Sequence, residues 1–319
     1  MIKNPPIIKK VVQEMGGTIE KVIPERGYFY IKIEGKKIFV SRKFKIASNF
    51  ISGSEVTKFK DLTYFLLKDE NLPTPKTVCI YRKTLLKGQL NAKLGELKFP
   101  IVVKDAKGSN SKGVFTNIKN SNEAKEIITE QIEIFPSLIA QEMIFGKEFR
   151  ILVLKNRVLG ALELIPPRVF GDGERNIETL IAEKQKKTAQ KTAFDSSFHE
   201  ILREQGFTLK SIPEKGKEIY IKKNSCLAEG GETRDVTEIV SEDIKKVCVK
   251  ATRILGKYLS GIDIMCDDIS KNTIGQNFNI IEINGKPDLY IHYNPTHGQT
   301  RNVIKEIINF ILELQKENE

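Results

Sequence analysis

The 319-residue chain has little from which to build a covalent or thiolate framework, because its four cysteines, Cys79, Cys226, Cys248 and Cys266, are scattered without paired spacing. That excludes a disulfide scaffold and a cysteine zinc site and leaves free thiols. No apolar run approaches the ~20 residues of a membrane span. The amino terminus, MIKNPPIIKK, lacks the apolar core of a signal peptide, so the chain reads as soluble and cytoplasmic. Internal repeats and low-complexity tails are also missing, which removes solenoids and disordered arrays. What is present is enough apolar residue, 40%, to bury a full core over a length that suggests two domains or one domain of several lobes. A net charge of +11 and a pI near 9.3 admit nucleic acid, an anionic membrane surface or polyanionic small molecules as partners. Lysines alternate with glutamates along the helical stretches 120–134 and 302–319, so a solvated surface with a basic bias accounts for much of that charge.

Residues 7–15 read as helix, and 28–33 with 37–41 flank Glu34-Gly35-Lys36 as a hairpin. A second helical pattern, TKFKDLTYFLLKDEN, runs over 57–71 and is stopped by Pro73 and Pro75. Residues 99–104 form a short apolar strand ending in Lys104, followed by the small-residue loop Gly108-Ser109-Asn110-Ser111-Lys112-Gly113. A strand-end lysine beside a loop rich in free backbone N–H groups suits phosphate oxygens, although a flexible turn flanked by lysines has the same composition. A helix over 122–133 and an apolar strand over 137–144 follow. The chain then crosses from Glu142 through Ile144 to Glu148, where backbone groups can pair with an adenine edge and a carboxylate can accept from ribose hydroxyls.

Residues 260–289, SGIDIMCDDISKNTIGQNFNIIEINGKPDL, alternate apolar and polar residues in both halves and read as a hairpin. Asp263 falls mid-strand, and Glu282 and Asn284, two apart, project from one face. Two carboxylates and an amide oxygen converging in an apolar setting suit a hard cation such as Mg²⁺ better than an ordinary solvated hairpin.

These stretches resemble the ATP-grasp ligases, and within them the ATP-grasp portion of cyanophycin synthetase and of the fused bacterial glutathione synthetases. The resemblance is carried by QEMIFGKEFRILVLKNRVLGALELIPPRVFGDGERNIETLI, EIYIKKNSCLAEGGETRDVTEIV, GIDIM and IIEINGKPDLYIHYNPTHGQTRNVI, in the family's order. It implies an α+β ATP-grasp fold with two lobes clasping ATP: a small amino-terminal domain over 1–55, a first lobe over 56–145 and a carboxy-terminal lobe with the metal site over 146–319. It further implies phosphate contacts from Lys60, Lys104 and the loop containing Gly108, Ser109, Ser111 and Gly113. Glu142 and Ile144 take the adenine-binding positions, and Glu148 the ribose-binding one. Lys222 replaces the usual phosphate-facing arginine, keeping the charge without the planar fork. Arg150 and Arg168 fall near the acceptor or the phosphoryl group, and Asp263, Glu282 and Asn284 match the magnesium ligands.

The activity so implied is an ATP- and Mg²⁺-dependent carboxylate-amine ligase, with two ions and with Mn²⁺ as an allowed substitute. It would join a small carboxylate, an amino acid or short peptide, to an amine through an acyl phosphate. The resemblance foresees no nucleic-acid or membrane partner, allows a homodimer, and reads the chain as a stand-alone enzyme. No histidine or cysteine nucleophile is needed. Of His199, His292 and His297, only His292 falls at a family position. Cys226, Asp288 and Tyr290 depart from the pattern on the substrate side; Asp288 either holds the amine of a cationic acceptor or caps a turn after Pro287. A kinase or protein-modifying enzyme on the same fold is the alternative. A nucleic-acid binder would leave the three oxygen ligands in register unexplained.

Overall fold

The computed structural model describes residues 4–23, 28–41, 56–107, 113–188 and 196–316. The chain is α+β, with antiparallel sheets and flanking helices. It divides into two compact units: unit 1 comprises Met1–Ala161, Thr237–Tyr293 and Arg301–Glu319, and unit 2 comprises Leu162–Val236 and Asn294–Thr300. Among the described residues no helix is long and apolar enough to cross a membrane.

Unit 1 opens with the helix Asn4–Glu14 and a three-stranded antiparallel meander, β1 (Thr18–Ile23), β2 (Tyr28–Ile33) and β3 (Lys36–Ser41). Ile8, Val11 and Val12 recur on one face of the helix and are buried with Ile31 and Ile33 against Val303, Ile304, Ile307 and Ile308 of the helix Val303–Lys316. Each such side chain contributes roughly 1.5–3 kcal/mol when fully buried, so the two ends of the chain share one core.

The second sheet has the order β4-β7-β5-β6, from β4 (Thr77–Tyr81), β5 (Ile101–Asp105), β6 (Val114–Ile118) and β7 (Ser137–Glu142). Its covering helix, Ser121–Ile134, starts where the Asn120 side chain accepts from the N–H groups of Asn122 and Glu123 at 3.1 and 3.0 Å, satisfying two donors that a helix start leaves without partners. Ala124, Ile128 and Ile132, four apart, form its buried stripe and pack onto Ile101, Val103, Leu138 and Ala140. The helix Lys60–Asp69 begins three residues later than its apolar pattern, because Phe59 is extended and the Lys60 N–H donates to the Ala106 carbonyl at 2.7 Å.

β8 (Lys147–Leu154) and β9 (Arg157–Ile165) follow, and β9 runs from unit 1 into unit 2. In unit 2, β10 (Arg168–Phe170) pairs with β11 (Glu218–Tyr220), and β12 (Glu232–Asp235) pairs with the second half of β9. Ile177, Ile181, Phe198, Leu202, Val169 and Ile219 form this unit's core. Back in unit 1, the helix Glu242–Ile254, capped by Ser241 Oγ, leads to β13 (Leu259–Cys266) and β14 (Phe278–Asn284), and β13 pairs with β8 on one side and β14 on the other.

Candidate functional site

β13 lies between β8 and β14, and its register sets Arg150, Asp263 and Glu282 side by side across the three strands. Residues opposed in this way hold their Cβ atoms about 4.5–5.5 Å apart on the same face. Two residues along, on the same face, Gly261 stands between Leu152 and Asn284. A Cβ on Gly261 would lie 2.9 Å from the Cβ of Pro287, so glycine lets the segment after β14 fold back over the strand. The same face continues into Leu152, Leu154 and Leu259, which are buried in the shared core and anchor the charged end. The β13–β14 register shifts immediately after Asp263, from Glu282 to Ile280, leaving Ile281 as a bulge beside the charged residues.

Each carboxylate has its own cation. Asp263 accepts from Arg150 Nε at 2.6 Å and Nη2 at 2.8 Å, and from Asn284 Nδ2 at 3.1 Å. Burial alone would lower the Arg150 guanidinium pKa, but the charge and hydrogen bonds of Asp263 outweigh it and raise the value above the ordinary one. Glu282 Oε1 lies 3.7 Å from Lys60 Nζ. Lys104, buried at the end of β5, has its pKa pushed down to about 8 by burial; Glu282 and Asp263 oppose that shift and Lys60 adds to it. Burial penalises the lysine's charged form and added negative charge favours it, so this position favours an anionic ligand.

Two carboxylates and an amide side chain on one sheet face are a donor set for a hard cation. Among the described residues no three His, Cys, Asp or Glu side chains gather into a complete protein cage. A metal here therefore needs non-protein oxygens, which is how Mg²⁺ binds through one or two carboxylates and substrate phosphates. Asp263, Glu282 and Asn284 fit that arrangement, and Lys60 and Lys104 add positive charge beside them.

The other expected site residues are placed as follows. Glu148 shares the β8 face with Arg150 and acts electrostatically on it. Glu142 ends β7, its side chain turned to accept from the Lys98 N–H at 2.9 Å. Ile144 is half-buried on the irregular connection between β7 and β8. That connection passes so close to β13 that a Cβ on Gly146, at φ 142°, would lie 2.9 Å from the Cys266 carbonyl oxygen. The carbonyl of Gly113 accepts from the Asp105 N–H at 3.1 Å. Gly108, Ser109 and Ser111 lie outside the described residues. In unit 2, Lys222 is buried and pairs with Glu229 at 2.7 Å. Asp288 accepts from the Tyr290 N–H at 2.9 Å and so caps the turn that leads into the short helix Tyr290–Tyr293.

Reading the sequence missed the neighbours of Arg168. Its guanidinium donates to Glu218 and, at 3.2 Å, to Glu232. Glu232 also accepts from Lys184 at 2.6 Å and lies 3.1 Å from His297 Nε2. Burial would raise the Glu232 pKa, but the hydrogen bonds from Lys184, His297 and Arg168 and the charge of Lys184 outweigh it and bring it down to about 2. The one signal available was alternation in Glu232-Thr233-Arg234 after a glycine pair, which marks a strand without naming its partners.

With this geometry in place, comparison with known proteins shows what the chain is similar to. Residues 66–206, under half of the chain, match the family model for the D-ala D-ala ligase C-terminus. The chain is 32% identical over 184 residues to the glutathione biosynthesis bifunctional protein of Clostridium perfringens, covering 55% of this chain and 24% of that protein. It is 26% identical over 270 residues to the cyanophycin synthetase of Trichormus variabilis, covering 82% of this chain and 30% of the relative. A bifunctional glutathione synthetase from Pasteurella multocida superposes with a TM-score of 0.70 at 20% identity, over 96% of this chain and 44% of that one. The ATP-grasp fold is thus shared along almost the whole chain, which spans roughly a quarter to a third of these curated relatives.

Proposed function

We propose that this protein is an ATP-dependent carboxylate-amine ligase that forms a peptide-like amide bond through an acyl phosphate and releases ADP and phosphate. The observation that carries the reading is Asp263 beside Glu282 on one sheet face, with Asn284, Lys60 and Lys104 around them. The curated relatives, named for glutathione biosynthesis and cyanophycin synthesis, support the same reaction class.

In this reading Asp263, Glu282 and Asn284 would hold Mg²⁺, with two ions the expected number and Mn²⁺ an allowed substitute. The bound metal would neutralise charge developing on the transferring phosphoryl group. Lys104 and Lys60 bind the phosphate oxygens, Glu148 accepts from the ribose hydroxyls, and the backbone around Ile144 borders the adenine. The loop between Gly108 and Gly113 would cover the phosphates and exclude water, which otherwise hydrolyses an acyl phosphate. Lys222 and Arg168 take their assignments to phosphate and acceptor from the resemblance. The substrates are a small carboxylate, an amino acid or short peptide, and an amine, in the cytoplasm.

The test is release of ADP and phosphate across pairs of amino acids and short peptides. A ligase releases both only when the carboxylate and the amine are present together. Stable phosphorylation of a single acceptor would establish the kinase alternative instead.

A further inference from the structure

Asp263 is matched in charge and in hydrogen bonds by the protein itself. Both its oxygens are engaged by Arg150, at 2.6 and 2.8 Å, and Asn284 Nδ2 adds a third donor at 3.1 Å. Its side chain is only 9% exposed, and a two-pronged guanidinium contact fixes the plane of the carboxylate as well as its charge. Glu282, directly across the strand pair, differs. It is 33% exposed, and its ion pair with Lys60, at 3.7 Å, is longer than a hydrogen bond. Of two neighbouring carboxylates, one is forked and buried while the other is loosely paired and open.

The surrounding charge points the same way. Lys60, Lys104 and Arg150 outnumber Asp263 and Glu282, and counting Glu148 makes the cluster neutral rather than negative. A naked divalent cation enters such a site against its cations. One carried on nucleotide phosphates arrives with compensating negative charge and with oxygen ligands of its own.

We infer that Arg150 is a positioning residue that stands in for the divalent cation on Asp263, holding that carboxylate in place and making metal uptake depend on nucleotide. A bare ion finds Glu282 and the Asn284 amide oxygen. A nucleotide-bound ion needs fewer protein ligands and shares Asp263 with the arginine. The inference rests on the assignment of Asp263, Glu282 and Asn284 as metal ligands.

Mn²⁺ is a suitable probe, its free concentration read by electron paramagnetic resonance with no nucleotide and with a non-hydrolysable ATP analogue. The unmodified protein should bind Mn²⁺ at least about tenfold more weakly without the analogue, and Arg150→Gln should recover about tenfold or more of the bare-ion affinity. Adding Asp263→Asn to that variant should remove the gain. Arg150→Lys, which keeps the charge but not the fork, should stay within about threefold of the unmodified protein. Because Arg150→Gln leaves a buried carboxylate without its cation, its melting temperature should fall, and Mn²⁺ alone should restore more of it than it adds to the unmodified protein.

Equal Mn²⁺ affinity of the unmodified protein with and without the analogue overturns the inference, and that arm does not depend on any variant folding. So does a folded Arg150→Gln without gain, or an Arg150→Lys that gains as much as the glutamine. The metal-site assignment fails separately, if Asp263→Asn leaves Mn²⁺ binding in the presence of the analogue unchanged.

Discussion

The protein contains two clusters in which carboxylates meet cations, and they differ in how fully the carboxylates are satisfied. In unit 2, Glu232 takes Lys184 on one oxygen and Arg168 on the other, beside His297, and Arg168 is held a second time by Glu218. Every partner there is protein, at hydrogen-bond distance. In unit 1, Asp263 and Glu282 stand side by side, one tightly forked and the other loosely paired, near the buried Lys104, whose pKa burial pushes down to about 8. Protein groups close the unit 2 cluster, whereas the unit 1 cluster gains from further negative charge and further oxygen ligands. A saturated network rigidifies a fold, while an unsaturated one is where a ligand finds favourable free energy. The same residue types therefore serve two ends, distinguished by geometry and not by composition.

The contrast predicts opposite phenotypes. The largest effect should come from Glu282→Gln, which keeps shape but removes the charge of the open carboxylate. Turnover should fall about 10²–10³-fold, some 3–4 kcal/mol of lost transition-state stabilisation, while the protein still melts cooperatively. Turnover within tenfold of the unmodified protein would leave the unit 1 cluster without its assigned role.

Next comes Glu232→Ala, which should act on stability. Removing one partner of a largely buried ionic network costs about 3 kcal/mol, measured by urea unfolding. The same contribution should titrate. The Glu232 pKa is depressed in the fold, from 4.5 to about 2, so its stabilisation is complete above pH 4.5 and is lost as pH falls toward 2. Glu232→Ala should flatten that part of the stability profile. If the acid limb is unchanged, Glu232 is not the group that titrates.

A third effect separates nucleotide binding from metal binding within unit 1. Glu148→Ala should weaken ATP by roughly 1.5–3 kcal/mol, the value of a charge-assisted hydrogen bond. Calorimetry showing the same ATP affinity as the unmodified protein would move the ribose away from Glu148.

How much of this could be read from the sequence follows from which contacts are local. The hairpin bearing Asp263, Glu282 and Asn284 was legible because a period of two fixes which side chains share a face, whatever the strand later packs against. The helix Ser121–Ile134 was legible for the same reason, its stripe and its Asn120 cap both lying within its own segment. The Asp263–Arg150 fork was not, since the partners are 113 residues apart and their meeting depends on β8 and β13 pairing in one particular register. Glu232 was invisible for the same reason: its partners come from positions 168, 184 and 297, and no periodicity ties a strand residue to partners that distant. The helix at Lys60 began late because a tertiary hydrogen bond to Ala106 fixed its first turn, which local propensity cannot anticipate.

The smallest effect falls where sequence and structure part most clearly. Asp288 carries a negative charge just past Glu282 and Asn284, a place from which it could hold the ammonium of an incoming amine. The fold gives its oxygen another use, accepting the Tyr290 N–H at 2.9 Å at the start of the helix Tyr290–Tyr293. Asparagine can cap such a turn as aspartate does, whereas alanine lacks the acceptor altogether. Asp288→Asn should therefore change stability by less than about 0.5 kcal/mol, and Asp288→Ala should cost about 1 kcal/mol. A cap also predicts that kcat/KM for cationic and neutral amines will shift by the same factor in Asp288→Asn. A selective loss toward cationic amines would show that the carboxylate faces the acceptor during turnover, and would add a substrate-binding charge to the unit 1 cluster.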